Sequence, residues 1–177
     1  GISSFNQMTL NSFEKTLMEN KNFQPILYKY HRIETINRGI AWGELVGGNL
    51  NLITSTLGTP YEIDTENKIL FFEDISEEPY QIDRMLTQLY LANKLQVCAG
   101  IIIGYFKNYY RKYYFYPNRS FTIKEVIENR FKELEDIPVI YGAPIGHMQD
   151  KLTLPIGINA ELNATEKYIK ILEPPIK

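Results

Sequence analysis

The sequence predicts one mixed α/β domain, and three observations carry that expectation. Apolar runs rich in β-branched and aromatic residues, at 26–31, 68–74, 97–105 and 138–142, read as strands. Between several of them lie segments whose apolar residues recur at helical spacing, with start and stop signals at their ends. Beyond residue 150 the helical signals cease, and short strand-like runs are separated only by turns. Strands alternating with helices, followed by an antiparallel end, define a mixed sheet with about three helices.

Each element has a local reason. Asn11 and Glu14 form a helix start, predicting a short helix near 12–20 with Phe13 and Leu17 on its apolar face. Residues 26–31 read as a strand that includes His31, and 33–40 as a second. The pair Gly47-Gly48 is expected to break regular structure, and Asn49 to cap a helix striped by Leu50, Ile53 and Leu57 and ended by Gly58. The run 68–74 is continuously apolar up to Glu73, the pattern of a strand buried on both faces. Pro79 suits a first helical turn, with Ile82, Met85, Leu86 and Leu89 behind it and Asn93 as a left-handed terminator. Residues 97–105 form another buried strand. Thr122 and Glu125 then make a capping box ahead of Ile123, Ile127, Phe131 and Leu134. After the strand 138–142 comes the loop 143–147. Leu152–Leu154, Ile158–Leu162 and Tyr168–Leu172 read as strands, the last two joined as a hairpin through 163–166.

Composition narrows the function. A chain of 177 residues suffices for one core but not two ordinary ones, and 44% hydrophobic with 23% charged residues excludes a disordered chain. A net charge of −2 argues against nucleic acid, since duplex binding needs a basic face. The single cysteine, Cys98, allows no intrachain disulfide and reads as a small buried hydrophobe. No apolar run approaches the roughly 18 residues of a membrane span. The start at Gly1 lacks the basic and apolar stretches of a signal peptide, so the expectation is a cytoplasmic protein without a membrane partner.

Candidate chemistry is sparse. Of the two histidines, His31 reads as structural. His147 follows Gly146 on a loop directly after a buried strand, a place where catalytic residues often sit. Glu73 ends a buried strand, where a carboxylate needs a donor, and an imidazole held in one tautomer is one such donor. A capping or salt-bridging acid is the alternative. No nucleophile elbow, phosphate loop, dinucleotide fingerprint or zinc spacing is present, so no metal or organic cofactor is expected. The segment 105–116 interleaves eight aromatic residues with basic ones, which suits a packed hairpin or an interface better than stacked bases.

Several stretches together resemble one family, the LD-carboxypeptidases of peptidase family S66. They are Gly43 to Leu50, Leu57-Gly58-Thr59-Pro60, Ile69 to Ile75, Pro79 to Leu86, Gly146-His147 and Leu154-Pro155-Ile156-Gly157, in the family's order. Asn93 stands where the family usually has Gly, and segment 105–116 is not a family hallmark. The resemblance implies the family's C-terminal swivelling β/β/α domain, with Glu73 and His147 as the acid and base of a Ser-His-Glu triad. Gly47, Gly48 and Asn49 would shape the cleft, with a purely structural role as the alternative. It also implies that the N-terminal domain bearing the serine lies outside this chain, the start at Gly1 fitting an excision between the two domains. The substrate would be a murein tetrapeptide losing its terminal D-alanine, the partner the N-terminal nucleophile domain of the same parent chain, and a homodimer the family's common assembly. Alone, the chain would be inactive. A different class of function, a non-catalytic glycan- or peptide-binding or oligomerisation module built on 105–116, is the alternative.

Overall fold

A computed structural model describes residues 6–17, 24–106 and 121–175. Eight strands appear in the order β1 (Ile26–Lys29), β2 (Glu34–Asn37), β3 (Ile40–Asn49), β4 (Ile69–Glu73), β5 (Gly100–Gly104), β6 (Val139–Ala143), β7 (Asn159–Asn163) and β8 (Tyr168–Ile171). The helices are α1 (Gln7–Leu17), α2 (Leu50–Ser55), α3 (Pro79–Leu91) and α4 (Ile123–Phe131). One sheet holds all the strands in the order β1-β8-β7-β3-β4-β5-β6-β2.

β3 joins the two halves of this sheet. Its first five residues pair antiparallel with β7, Ile40 opposite Asn163 through Glu44 opposite Asn159. Its last five pair parallel with β4, Leu45 opposite Ile69 through Asn49 opposite Glu73. β4, β5 and β6 continue the parallel set, while β2 closes one edge and β7, β8 and β1 the other, all antiparallel.

The period of two along each buried strand divides the core. On one face Leu70, Phe72, Ile101, Ile103 and Val139 pack against Ile82, Leu86 and Leu89 of α3 and Ile127 and Phe131 of α4. On the other, Ile69, Phe71, Ile102 and Ile140 meet Tyr28, Ile33, Leu162, Ile169 and Ile171. All five residues of β4 and of β5 are buried, which explains why their sequences are apolar runs rather than alternations.

The local signals hold at most helix ends. The Asn49 side chain accepts from Leu52 N–H, Thr122 and Glu125 form the reciprocal box, Pro79 opens α3, and Asn93 follows α3 at φ 57°. Cys98 is buried, and desolvation pushes its thiol up to about 12.

Four expectations need correction. The Gly47-Gly48 pair does not interrupt regular structure, because β3 runs through it. Gly47 adopts φ 149°, and a Cβ there would lie 1.8 Å from the Phe71 carbonyl oxygen, so the strand needs glycine to approach β4. The first helix starts earlier, at Gln7, with Asn6 Oδ1 accepting from Thr9 N–H; its buried side chains are Thr9, Ser12 and Thr16, while Leu17 is exposed. Leu152–Leu154 is not a strand. Its backbone is satisfied instead by α1 and the preceding loop: Thr153 N–H donates to Ser12 Oγ, Thr16 Oγ1 donates to Thr153 O, and Leu152 N–H donates to Pro144 O. β1 ends at Lys29, leaving His31 in an exposed turn against the Tyr30 ring. Of segment 105–116, Tyr105 stacks on Tyr141 and Phe106 is buried; residues 107–116 lie outside the described residues.

Candidate active site

Glu73 is the last residue of β4, and His147 lies four residues beyond the end of β6. Both therefore sit at the carboxyl ends of the parallel strands, where open α/β sheets place their ligands. β5 lies between β4 and β6, and its last residue, Gly104, leaves room for Glu73: a Cβ there would lie 2.7 Å from the Cβ of Glu73. The long glutamate side chain can thus reach across to the 144–147 loop.

His147 Nδ1 stands 2.9 Å from Glu73 Oε2, and His147 backbone N–H donates to the same oxygen at 3.3 Å. An ionised carboxylate only accepts, so Nδ1 carries the proton in this contact. The neutral ring then presents the lone pair of Nε2. Glu73 is buried and the imidazole is half exposed, so the pair has a fixed inner end and an accessible outer one. Gly146, at φ 82°, brings the loop against the acid: a Cβ there would lie 2.1 Å from Glu73 Oε2.

The second carboxylate oxygen faces β3. Asn49 Nδ2 is 3.5 Å from Glu73 Oε1 and donates to Asp74 Oδ1 at 2.9 Å. Asn49 is thus brought to the acid, whereas Gly47 and Gly48 make no side-chain contact and border a groove of about 450 Å³ with Asn49, Leu52, Tyr61 and Ile156. Sequence reasoning passed over Asp74, which is buried and accepts from the backbone N–H groups of Asn51 and Ile75. The only local signal was an acid beside Glu73 at the end of a buried strand. Among the described residues, no three His, Cys, Asp or Glu side chains gather to hold a metal ion, and no helix is long and apolar enough to cross a membrane.

Fold and site define a class: a mixed α/β domain presenting a buried carboxylate paired to a half-exposed imidazole at the carboxyl ends of its parallel strands. Known proteins make the class particular. A family model described as the LD-carboxypeptidase C-terminal domain matches residues 42–162, and the chain belongs to that family, peptidase family S66. A probable murein peptide carboxypeptidase of Bacillus subtilis (strain 168) is 48% identical over 129 residues, 73% of this chain and 39% of that protein. A putative carboxypeptidase of Synechocystis sp. is 42% identical over 135 residues, 76% of this chain and 44% of the relative. The crystal structure of muramoyltetrapeptide carboxypeptidase from Oxalobacter formigenes superposes with a TM-score of 0.76 at 30% identity, over 94% of this chain and 54% of that one. The chain thus spans between 39% and 54% of the length of these relatives.

Proposed function

We propose that this chain supplies the base and acid of a serine LD-carboxypeptidase: His147 and Glu73 act with a serine carried by an N-terminal domain outside this sequence. The observation that supports the reading is the 2.9 Å contact between His147 Nδ1 and the buried Glu73 Oε2. With Nδ1 committed to the acid, Nε2 is the nitrogen that receives the serine proton as the hydroxyl attacks the scissile carbonyl. The ring becomes an imidazolium beside an anion in a poorly solvated position, where the attraction is stronger than in water. It then gives the proton to the departing amine. In the second half, the same nitrogen takes a proton from water as it attacks the acyl-serine, then returns that proton to the departing serine oxygen as the shortened peptide is released.

In this reading the substrate is a murein tetrapeptide and the leaving group its terminal D-alanine; membership of the LD-carboxypeptidase family and likeness to a probable murein peptide carboxypeptidase support the substrate class. Cytoplasmic location and a homodimer belong to the same proposal. Gly47, Gly48 and Asn49 shape the cleft wall beside the acid. The test is D-alanine release from a murein tetrapeptide. The chain alone is expected to release none, and co-expression with the N-terminal domain of the parent protein should restore release. Release by the chain alone, or none from the assembled pair, would sink the proposal.

A further inference from the structure

We propose that Asp74 is a positioning residue that orients the Asn49 amide so that a donor, not an acceptor, faces the second oxygen of Glu73. The inference rests on the catalytic reading of Glu73 for its consequence, but its geometry stands apart from it.

Asp74 directly follows Glu73, just beyond the end of β4, and the Asn49 amide nitrogen lies within reach of both carboxylates. Asp74 reaches the start of α2, accepting from Asn51 N–H at 3.0 Å through Oδ2 and from Ile75 N–H at 2.8 Å through Oδ1. Two backbone donors hold this buried carboxylate in one orientation. Its Oδ1 also accepts from Asn49 Nδ2 at 2.9 Å. Asn49 is held from its other end, because its Oδ1 accepts from Leu52 N–H at 3.2 Å as the cap of α2. An amide with an acceptor against its nitrogen and a donor against its oxygen has only one favourable rotamer of its final torsion.

That orientation matters to Glu73. Its Oε2 meets the backbone N–H and the Nδ1 of His147, whereas among the described residues its Oε1 meets only Asn49 Nδ2, at 3.5 Å. The last torsion of a glutamate is broad and roughly two-fold, so contacts at both oxygens are what hold the carboxylate plane. If the Asn49 amide turned over, its oxygen would face Glu73 Oε1 and repel it. Asp74 prevents the turn. Register makes the arrangement available: Asn49 lies directly opposite Glu73 across the parallel β3–β4 pair.

The chain itself provides the test, through the ¹⁵N shifts of the ring nitrogens of His147 in its neutral form. These give the ratio of the Nδ1–H to the Nε2–H tautomer, and His31 is the only other histidine. Asp74→Asn should lower that ratio roughly two- to tenfold, the range for losing one modest hydrogen bond. A second variant separates positioning from capping. The exchanged pair Asn49→Asp with Asp74→Asn keeps an acceptor at the cap of α2 and a contact between the two side chains, but places an oxygen against Glu73. It should recover much of any lost unfolding temperature while leaving the tautomer ratio low. The proposal is overturned if Asp74→Asn lowers only the unfolding temperature, or if the exchanged pair restores the wild-type ratio. Should Asp74→Asn fail to fold, the exchanged pair decides by the same ratio. No serine is needed for this measurement. An assembled enzyme indifferent to loss of His147 would refute the triad, and a wild-type tautomer ratio in these variants would refute the role of Asp74.

Discussion

Replacing Gly146 by alanine should separate the acid from the base while leaving every atom of both in place chemically. At φ 82° an L-residue costs about 1–2 kcal/mol relative to glycine. The added Cβ would also lie 2.1 Å from Glu73 Oε2 and 2.2 Å from the carbons behind it. Relieving that overlap moves the loop or the carboxylate by about 1 Å, which carries the 2.9 Å Nδ1–Oε2 contact beyond hydrogen-bonding range. Losing a charge-assisted bond to a half-exposed ring adds about 1 kcal/mol, below the usual range for such bonds because solvent screens the ring. The total is about 2–3 kcal/mol, or roughly 5–10 °C in Tm for a domain of this size. Thermal unfolding followed by circular dichroism measures that loss, and proton NMR of the His147 Nδ1–H reports the contact. A variant that unfolds within a degree or two of wild type and retains the hydrogen-bonded Nδ1–H signal would refute the reasoning.

Three further outcomes follow from the same structure. Gly47→Ala should prevent folding or destabilise severely, since its Cβ would meet the Phe71 carbonyl at 1.8 Å, whereas Gly48→Ala, strained at φ 158° but with nothing within 4 Å, should cost less; urea midpoints of the two variants compare them directly. Phe72→Ala, which empties a fully buried site between β4 and α3, should lower stability by about 3–5 kcal/mol in denaturant titrations. Stability should fall as pH rises above 9. The Cys98 thiol, ordinarily near 9, is pushed up to about 12 by burial, so between those values the unfolded chain releases a proton that the folded chain keeps. Cys98→Ala should flatten the first part of that fall, leaving the later part to Tyr141, whose phenol burial also pushes up to about 12, together with Tyr168, raised by its hydrogen bond to Glu161, and Lys68 and Lys124, raised by their acidic partners. An unchanged alkaline slope in Cys98→Ala would contradict this assignment.

Much of the scaffold was legible because its signals are local. The apolar run ending at Glu73, the capping box at Thr122, the cap at Asn49 and the left-handed Asn93 each state their structure within a few residues. The failures share a different cause. Nothing near Gly47 reveals that a neighbouring strand will approach it closely, so a steric requirement for glycine looks like a break. Nothing near Leu152–Leu154 reveals that hydroxyls of α1 will take its backbone bonds in place of a strand partner. At the site, Glu73 and His147 were singled out from context and from the ordered motifs of the family. Their contact spans 74 residues of sequence and depends on the sheet order and on Gly146. Asp74 was missed for the same reason: beside Glu73 it looks like one more strand-end acid, and only the β3–β4 register makes it the anchor of Asn49.

The pair also explains why a buried acid is tolerated here. Glu73 would be costly without donors, and it has the backbone and ring of His147 on one oxygen and the Asn49 amide on the other. The loop glycine, the strand register and the start of α2 all converge on one buried carboxylate, whose partner imidazole is half exposed.

D-alanine release by the chain co-expressed with the serine-bearing domain, with and without His147→Ala, tests the central claim most directly. Release is expected from the wild-type pair and a loss of at least about a thousandfold from the variant, with the unfolding temperature lowered by only a few degrees, the cost of one hydrogen bond to a half-exposed ring. Release by His147→Ala at a rate close to wild type would contradict the assignment of His147 and Glu73 as base and acid.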